Sequence, residues 1–146
     1  MKIKIPLTII ELEDDNYHLI VSSHFFDSTL GHWVIDTGAS KTVFDKNLTA
    51  KYNLSEELPH KVNTAGIRGV CMESDLAEIK EVSWGKLKVK NFKVALIDLS
   101  SVNKIYSMAA NLNICGLLGS DFLMKYNAII NYKKRRITLT INKKSQ

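Results

Sequence analysis

Long apolar runs are missing from this sequence, and cysteine and proline are scarce. Its 146 residues include two Cys, two Pro and seven Gly, which excludes a disulfide framework and a collagen-like or proline-rich repeat. No apolar stretch approaches the roughly 20 residues of a membrane-spanning helix. The first residues turn acidic from Glu11 onward, unlike a secretory signal peptide. We therefore expect a cytoplasmic protein with no membrane partner, whose Cys71 and Cys115 are reduced thiols.

Acidic residues are missing from the end of the sequence. The net charge is +5, from 20 Lys and Arg against 15 Asp and Glu, and residues 132–146 hold six basic side chains and no acid. We interpret this segment as a solvated hairpin turn and chain end. Contact with nucleic acid or another acidic surface is the alternative. Tyr132 is the only aromatic residue among these charges, which makes nucleic acid an unlikely partner.

The remaining composition is that of an ordinary globular protein, with 45% hydrophobic and 24% charged residues, and we expect a single domain over residues 1–146. Apolar and polar residues alternate along much of the chain, which favours strands. The predicted strands cover residues 2–11, 17–22, 31–36, 41–44, 60–65, 70–83, 86–98, 128–131 and 136–141. Many short strands predict an all-β fold, either a small barrel or a sandwich, with one or two short helices.

The helical predictions are fewer. Residues 45–52 have Asp45 as a plausible N-cap, and residues 120–126 form a second short candidate helix. Residues 100–113 are the least clear part of the pattern. There Ile105, Met108, Ala109 and Leu112 would share one helical face.

The strongest chemical signal lies in residues 33–40, where a buried apolar strand runs into Asp36, Thr37, Gly38 and Ala39. A carboxylate that leaves a hydrophobic strand needs hydrogen-bond donors. Gly38 allows a sharp turn that brings its N–H toward this carboxylate, and the Thr37 hydroxyl can lock the loop. An ordinary strand-to-turn punctuation is the alternative for so short a motif.

A second segment, residues 114–123, is another apolar strand that runs into Gly119 and then a helix. Together the two segments resemble the retropepsin-like aspartic peptidases, in their single-domain bacterial form. That family pairs a loop of the Asp-Thr-Gly-Ala type with a later glycine that opens a helix. A glycine-containing hairpin, Gly66 to Gly69, lies between them, and an Asn131-Tyr132 turn follows. The resemblance covers residues 31–139 and implies a single-lobe acid-protease barrel.

The resemblance also implies roles for individual residues. Asp36 is expected as the catalytic carboxylate, Thr37 as the holder of a partner loop, and Gly38 as a backbone contact to the acid and substrate. A list of expected substrate-binding residues completes the set: Ala39 and Ser40 in the cleft, and Gly66, Ile67, Arg68 and Gly69 in a flap over the substrate, with Leu117 and Leu118 near the cleft wall.

The sequence departs from the retroviral members at two positions. Those members carry an Asp two residues after the motif glycine and an Arg after the later glycine, whereas this chain has Ser40 and Ser120. Because both partners of the ion pair are missing together, no lone buried charge remains. The departure puts the retroviral substrate contacts in doubt, but not the carboxylate chemistry.

The Asp-Thr-Gly motif occurs once in the chain. Cleavage of peptides by this chemistry needs two carboxylates that share a proton. Asp121 corresponds to a structural acid in the family, at the start of a helix. The second carboxylate is therefore expected from Asp36 of another copy, in an isologous homodimer.

Sequence reasoning thus favours a homodimeric aspartic endopeptidase that acts on extended peptide segments without a metal or cofactor. A catalytically silent peptide-binding or dimerisation module of the same fold is the alternative. The four His residues lack close metal-ligand spacing. Trp33, Trp84 and Cys115 are expected in the core, and Cys71 as a packed thiol.

Overall fold

The computed structural model describes residues 1–54, 61–65 and 71–142, with side chains described outside residues 61–65 and 71–74. The strands in this part of the chain are β1 (Lys2–Pro6), β2 (Thr8–Glu13), β3 (Asn16–Phe25), β4 (Leu30–Ile35), β5 (Val43–Asp45), β6 (Asn53–Leu54), β7 (Lys61–Ala65), β8 (Cys71–Trp84), β9 (Leu87–Ile97), β10 (Gly116–Leu118), β11 (Ile129–Asn131) and β12 (Arg136–Thr140). The helices are α1 (Ser100–Ala110), α2 (Ser120–Lys125) and a 3₁₀ turn (Thr49–Lys51). The prediction of an all-β fold with one or two short helices is therefore confirmed, and the helix predicted at residues 120–126 is α2.

Six of the strands close into a barrel. In order, β3, β4, β10, β5, β9 and β8 are neighbours, and β8 also pairs with β3. The pairs β4–β10 and β5–β9 are parallel, whereas the other pairs around the ring are antiparallel. The parallel pair β4–β10 matters most, because it places the ends of two distant chain segments side by side.

A second sheet joins the two ends of the chain. Its order is β1-β12-β11, with β1 and β12 antiparallel. The Met1 ammonium group donates to the Ile141 carbonyl at 2.8 Å, and the Ile141 N–H donates to the Met1 carbonyl at 2.8 Å. Residues 132–135 form the exposed turn between β11 and β12. Within the basic segment, residues 132–135 thus form the expected solvated turn, whereas Arg136–Thr140 is a strand with Ile137 and Leu139 buried, and residues 143–146 lie outside the described part.

The barrel interior is rich in aromatic side chains. Trp33, Phe44 and Trp84 are fully buried, and the Trp33 ring centroid lies 5.5 Å from that of Phe44 and 5.4 Å from that of Trp84. The Trp33 indole donates to the buried Ser23 hydroxyl at 2.7 Å. Cys115 is also buried. The expected packing roles of both tryptophans and of Cys115 are confirmed.

Two local predictions are wrong. The first predicted strand is broken at Leu7, whose N–H donates to the Arg135 carbonyl, so that β1 and β2 belong to different sheets. The helix expected at residues 45–52 is only the 3₁₀ turn, and Asp45 is the last residue of β5. Its buried carboxylate accepts from Asn47 and, across the chain, from the Leu99 N–H at 3.3 Å. Asp45 therefore fixes the entry to α1 and caps no helix of its own.

Candidate active site

Asp36 lies where β4 ends against β10. The parallel register pairs Ile35 with Leu118, and the Asp36 N–H continues it by donating to the Leu118 carbonyl at 2.9 Å. The side chains of Ile35 and Leu118 are buried, but Asp36 itself is half-exposed. The apolar strand thus places the Asp36 carboxylate at the barrel surface, and the hydrogen bond to β10 fixes the Asp36 backbone there.

The loop after Asp36 turns back onto its carboxylate. The Gly38 N–H donates to Asp36 Oδ1 at 3.1 Å, and the Ala39 N–H donates to the Asp36 carbonyl at 3.1 Å. The expected turn of the Gly38 N–H toward the carboxylate is thus observed. Gly85 is the only described glycine with a positive φ, so Gly38 makes the turn without the left-handed backbone that glycine alone adopts easily. Thr37 and Gly38 are exposed in the single chain.

The second sequence segment lies directly behind this loop, as the paired motifs predict. The Ser120 N–H donates to the Ala39 carbonyl at 2.7 Å. A Cβ on Gly119 would lie 2.8 Å from that same carbonyl oxygen and 2.8 Å from the Lys41 carbonyl carbon. Since side-chain atoms do not approach backbone this closely, Gly119 is required by the close approach of the two segments. Ala39 is buried in the single chain by this contact.

A buried hydroxyl group ties the two segments together. Thr42 is fully buried; its hydroxyl donates to Asp121 Oδ1 at 2.8 Å and accepts from the Gly119 N–H at 3.1 Å. The Thr42 N–H also donates to Asp121 Oδ1, at 2.9 Å, as does the Phe122 N–H at the start of α2. Asp121 is therefore a structural acid, as the resemblance implied. The role of Thr42 was missed, because a threonine just before a short strand gives no signal of its own.

Ser40 and Ser120, which stand where the retroviral members carry an ion pair, lie close together. The Ser120 hydroxyl lies 3.5 Å from the Ser40 carbonyl oxygen, at the long limit of a hydrogen bond. Nearby, Lys41 Nζ lies 3.7 Å from Asp121 Oδ2. A weak polar contact between Ser120 and the Ser40 backbone thus replaces the ion pair of the retroviral members.

A family model described as aspartyl protease matches residues 24–122, more than half of the chain. The chain belongs to the aspartyl protease family. A solved retropepsin-like aspartic protease from Rickettsia conorii is similar in fold, with a TM-score of 0.53 at 18% identity over 95% of this chain and 90% of that one. The crystal structure of edgp gives a TM-score of 0.57 at 12% identity, over 97% of this chain and 46% of that chain, so this chain spans about half of its length. A search of curated proteins found no match.

This member of the aspartyl protease family also carries the expected hairpin strands. Strands β7 and β8 pair antiparallel up to Ala65 opposite Cys71. The expected flap residues Gly66, Ile67, Arg68 and Gly69 lie outside the described residues, as does the side chain of Cys71. Their expected roles therefore stay predictions.

Leu117 and Leu118 point to opposite sides of β10. Leu118 belongs to the barrel core, whereas Leu117 packs with Val34 and Tyr106 beneath α1. Burial raises the pKa of Tyr106, and the charge of Asp36 raises it further. Tyr106 on α1 thus packs in one cluster with Val34, two residues before Asp36, a neighbour that sequence reasoning did not reveal.

The described residues contain no cluster of three or more His, Cys, Asp and Glu side chains suited to a metal ion. His18 and His32 instead contact the hydroxyls of Tyr106 and Ser22, each at 2.9 Å. Burial raises the pKa of the Cys115 thiol well above its ordinary value, so that this residue is a packing group and not a nucleophile. No helix in the described ranges is long and apolar enough to cross a membrane.

Proposed function

We propose that the protein is an aspartic endopeptidase that is active as a homodimer, with water activated between two Asp36 carboxylates. The observation that carries this proposal is the placement of Asp36. Its half-exposed carboxylate stands at the end of a buried strand and is held by the Gly38 N–H at 3.1 Å. The loop is braced from behind by Gly119 and Thr42.

The chemistry requires one ionised and one protonated carboxylate. Two carboxylates about 3 Å apart do not both ionise, so a pair binds one proton over a range of pH. The ionised Asp36 takes a proton from water as its oxygen attacks the peptide carbonyl, while the protonated Asp36 of the other copy donates to the carbonyl oxygen. The first Asp36 then passes its proton to the leaving nitrogen, and the second Asp36 takes a proton back from a hydroxyl of the tetrahedral intermediate as the C–N bond breaks. One ionised and one protonated carboxyl group are thereby restored. No metal, cofactor or covalent intermediate takes part.

The second acid must come from another chain. The sequence has one Asp-Thr-Gly motif, and Asp121 is committed to Thr42 and Phe122. Thr37 and Gly38 are exposed on the same loop, which favours their contact with the same loop of a second copy across a two-fold axis. Substrates would be extended peptides that bind through main-chain hydrogen bonds beneath the residues 66–69 of both copies.

Cleavage of a peptide library by the wild type, Asp36→Asn and Asp14→Asn tests the catalytic role. Asp14 lies in the exposed turn between β2 and β3 and controls for loss of one negative charge. We expect Asp36→Asn to lose at least about a hundredfold in turnover and to keep its circular dichroism spectrum. Asp14→Asn should retain its turnover. Undiminished cleavage by Asp36→Asn would reject the assignment. Peptide binding without any cleavage by the wild type would favour the silent module.

Subunit mixing tests the shared site. Adding an excess of Asp36→Asn chains to a fixed amount of wild type should suppress cleavage, because most wild-type chains are then paired with an inactive copy. A monomeric enzyme would instead keep its activity at every mixing ratio. Sedimentation at the assay concentration supplies the oligomeric state independently.

A further inference from the structure

An apolar groove lies between α1 and the turn that joins β2 to β3. Its volume is about 670 Å³, and its lining includes Leu12 and His18 from the hairpin and Val102, Ile105, Tyr106 and Met108 from the helix. This volume falls within the range of roughly 300–1,000 Å³ that is typical of ligand sites. The groove is therefore large enough to take side chains of a bound molecule.

Helix α1 lines this groove with apolar side chains that remain exposed to solvent. Tyr106 is the one buried residue of α1, whereas Ile105 is 59% exposed and Met108 is 89% exposed. The face predicted from Ile105, Met108 and Ala109 is therefore apolar, but it is not the face that packs on the barrel. An exposed methionine and isoleucine beside a concave surface indicate an interaction site more than a stability device.

The helix is held firmly in this position. The Asn103 side chain donates to the Ile114 carbonyl at 3.0 Å and accepts from the Ile114 N–H at 2.6 Å. On the other side, the Tyr106 hydroxyl lies 2.9 Å from His18 Nδ1. The groove between helix and hairpin is thus a preformed feature, fixed at both walls.

The groove lies on the same side of β4 as the cluster that precedes the proposed catalytic carboxylate. Val34, two residues before Asp36, belongs to the same packed cluster as Tyr106, which lines the groove. Tyr106 in turn contacts His18 on the opposite wall of the groove, at 2.9 Å. A peptide bound at Asp36 would therefore pass the mouth of this groove.

We propose that the groove receives a bulky apolar side chain of the peptide that is cleaved at Asp36, so that α1 determines substrate specificity. This inference rests on the proposed function. Ile105, Met108 and Leu12 supply apolar contacts, and Glu13 on the rim disfavours an acidic side chain. A concave groove of this size suits side chains, whereas a stable dimer buries about 800 Å² of each partner.

Two neighbouring alanines at the end of α1 provide a matched test. Ala109 lines the groove and Ala110 does not, although both are exposed. The probes are peptides that differ only in one residue near the cleaved bond, Phe, Leu, Ala or Glu. The wild type should favour Phe or Leu over Ala by about tenfold or more in kcat/KM at one position. Ala109→Trp fills the groove and should lower this ratio by about tenfold, whereas Ala110→Trp should leave it intact.

The outcomes separate the inference from the proposed function. If the wild type cleaves and Ala109→Trp keeps the same preference, the groove is not a specificity site, although the enzyme assignment stands. If nothing is cleaved, the proposed function fails, and fluorescence titration of the same peptides decides the inference. Weaker binding by Ala109→Trp than by Ala110→Trp then supports the groove, and equal or undetectable binding overturns it. A weakened dimer in Ala109→Trp alone would assign the groove to a second copy and overturn the proposal.

Discussion

The two faces of β4 pack against different neighbours. On the inner face, Trp33 is completely buried within a cluster of aromatic rings. On the outer face, Val34 belongs to a cluster with Tyr106 under α1, whose next apolar residues stay open to solvent. Asp36 follows directly after this strand. One strand thus joins a closed core to an open surface, with the proposed catalytic group at its end.

This difference separates stability from recognition. A packed aromatic interior has no room for a ligand, and a change there is felt throughout the barrel. The groove beside α1 is held in place by Asn103 and Tyr106, yet Ile105 and Met108 in its lining stay exposed to solvent. Substitutions on the two faces should therefore affect different properties.

The largest effect on stability is expected from Trp33→Ala. Loss of this buried ring leaves a cavity and an unpaired Ser23 hydroxyl, and should lower the free energy of unfolding by about 3–5 kcal/mol. Met108→Ala on the open face should change it by less than about 0.5 kcal/mol. Urea unfolding of both variants, followed by circular dichroism, measures the difference in the free energy of unfolding. Tryptophan fluorescence gives a second probe for Met108→Ala. Comparable losses in the two variants would abolish the distinction between the faces.

An intermediate effect is expected from Thr42→Val. The substitution keeps the side-chain shape but removes the hydroxyl that donates to Asp121. It also leaves the Gly119 N–H without its acceptor. We expect a loss of about 1–3 kcal/mol in the free energy of unfolding. Thr42→Ser retains the hydroxyl and should recover most of that loss. If serine does not rescue, the methyl packing of Thr42 matters more than its hydrogen bonds.

The smallest effect concerns the beginning of α1. Hydrogen bonds from the Ser100 hydroxyl, the Ser100 N–H and the Asn47 amide lower the pKa of Asp98 to about 2 from its ordinary 3.8. The ionised form is thus favoured in the folded state, and its contribution is present above the ordinary pKa and lost as the pH falls toward 2. Asp98→Asn should therefore unfold at a lower temperature than the wild type at pH 6, and the gap should narrow between pH 4 and pH 2.

Calorimetry across this pH range checks the expectation. Asp14→Asn, in the exposed β2–β3 turn, controls for the loss of one negative charge. A gap that stays constant from pH 6 to pH 2 would show that the carboxylate bonds of Asp98 do not support α1.

Local patterns in the sequence predicted a large part of this molecule. Alternation predicted most strands because each strand places one face toward the barrel core. The apolar run before Asp36 and the Gly38 N–H contact were also predicted from neighbouring residues. The helix at Asp45 was wrong, because the carboxylate that resembles a cap is used by Leu99, 54 residues away. Periodicity likewise showed that Ile105 and Met108 share a face, but not that this face is left open.

The sequence by itself determined that an apolar strand ends in a single Asp-Thr-Gly loop, since neighbouring residues and the strand repeat are enough to define both. Only the tertiary structure decided what stands around that loop. Thr42 meets Asp121 across 79 residues, and Tyr106 meets His18 across 88. Such contacts depend on how the barrel closes and where α1 packs, and no local pattern of residue types encodes either distance.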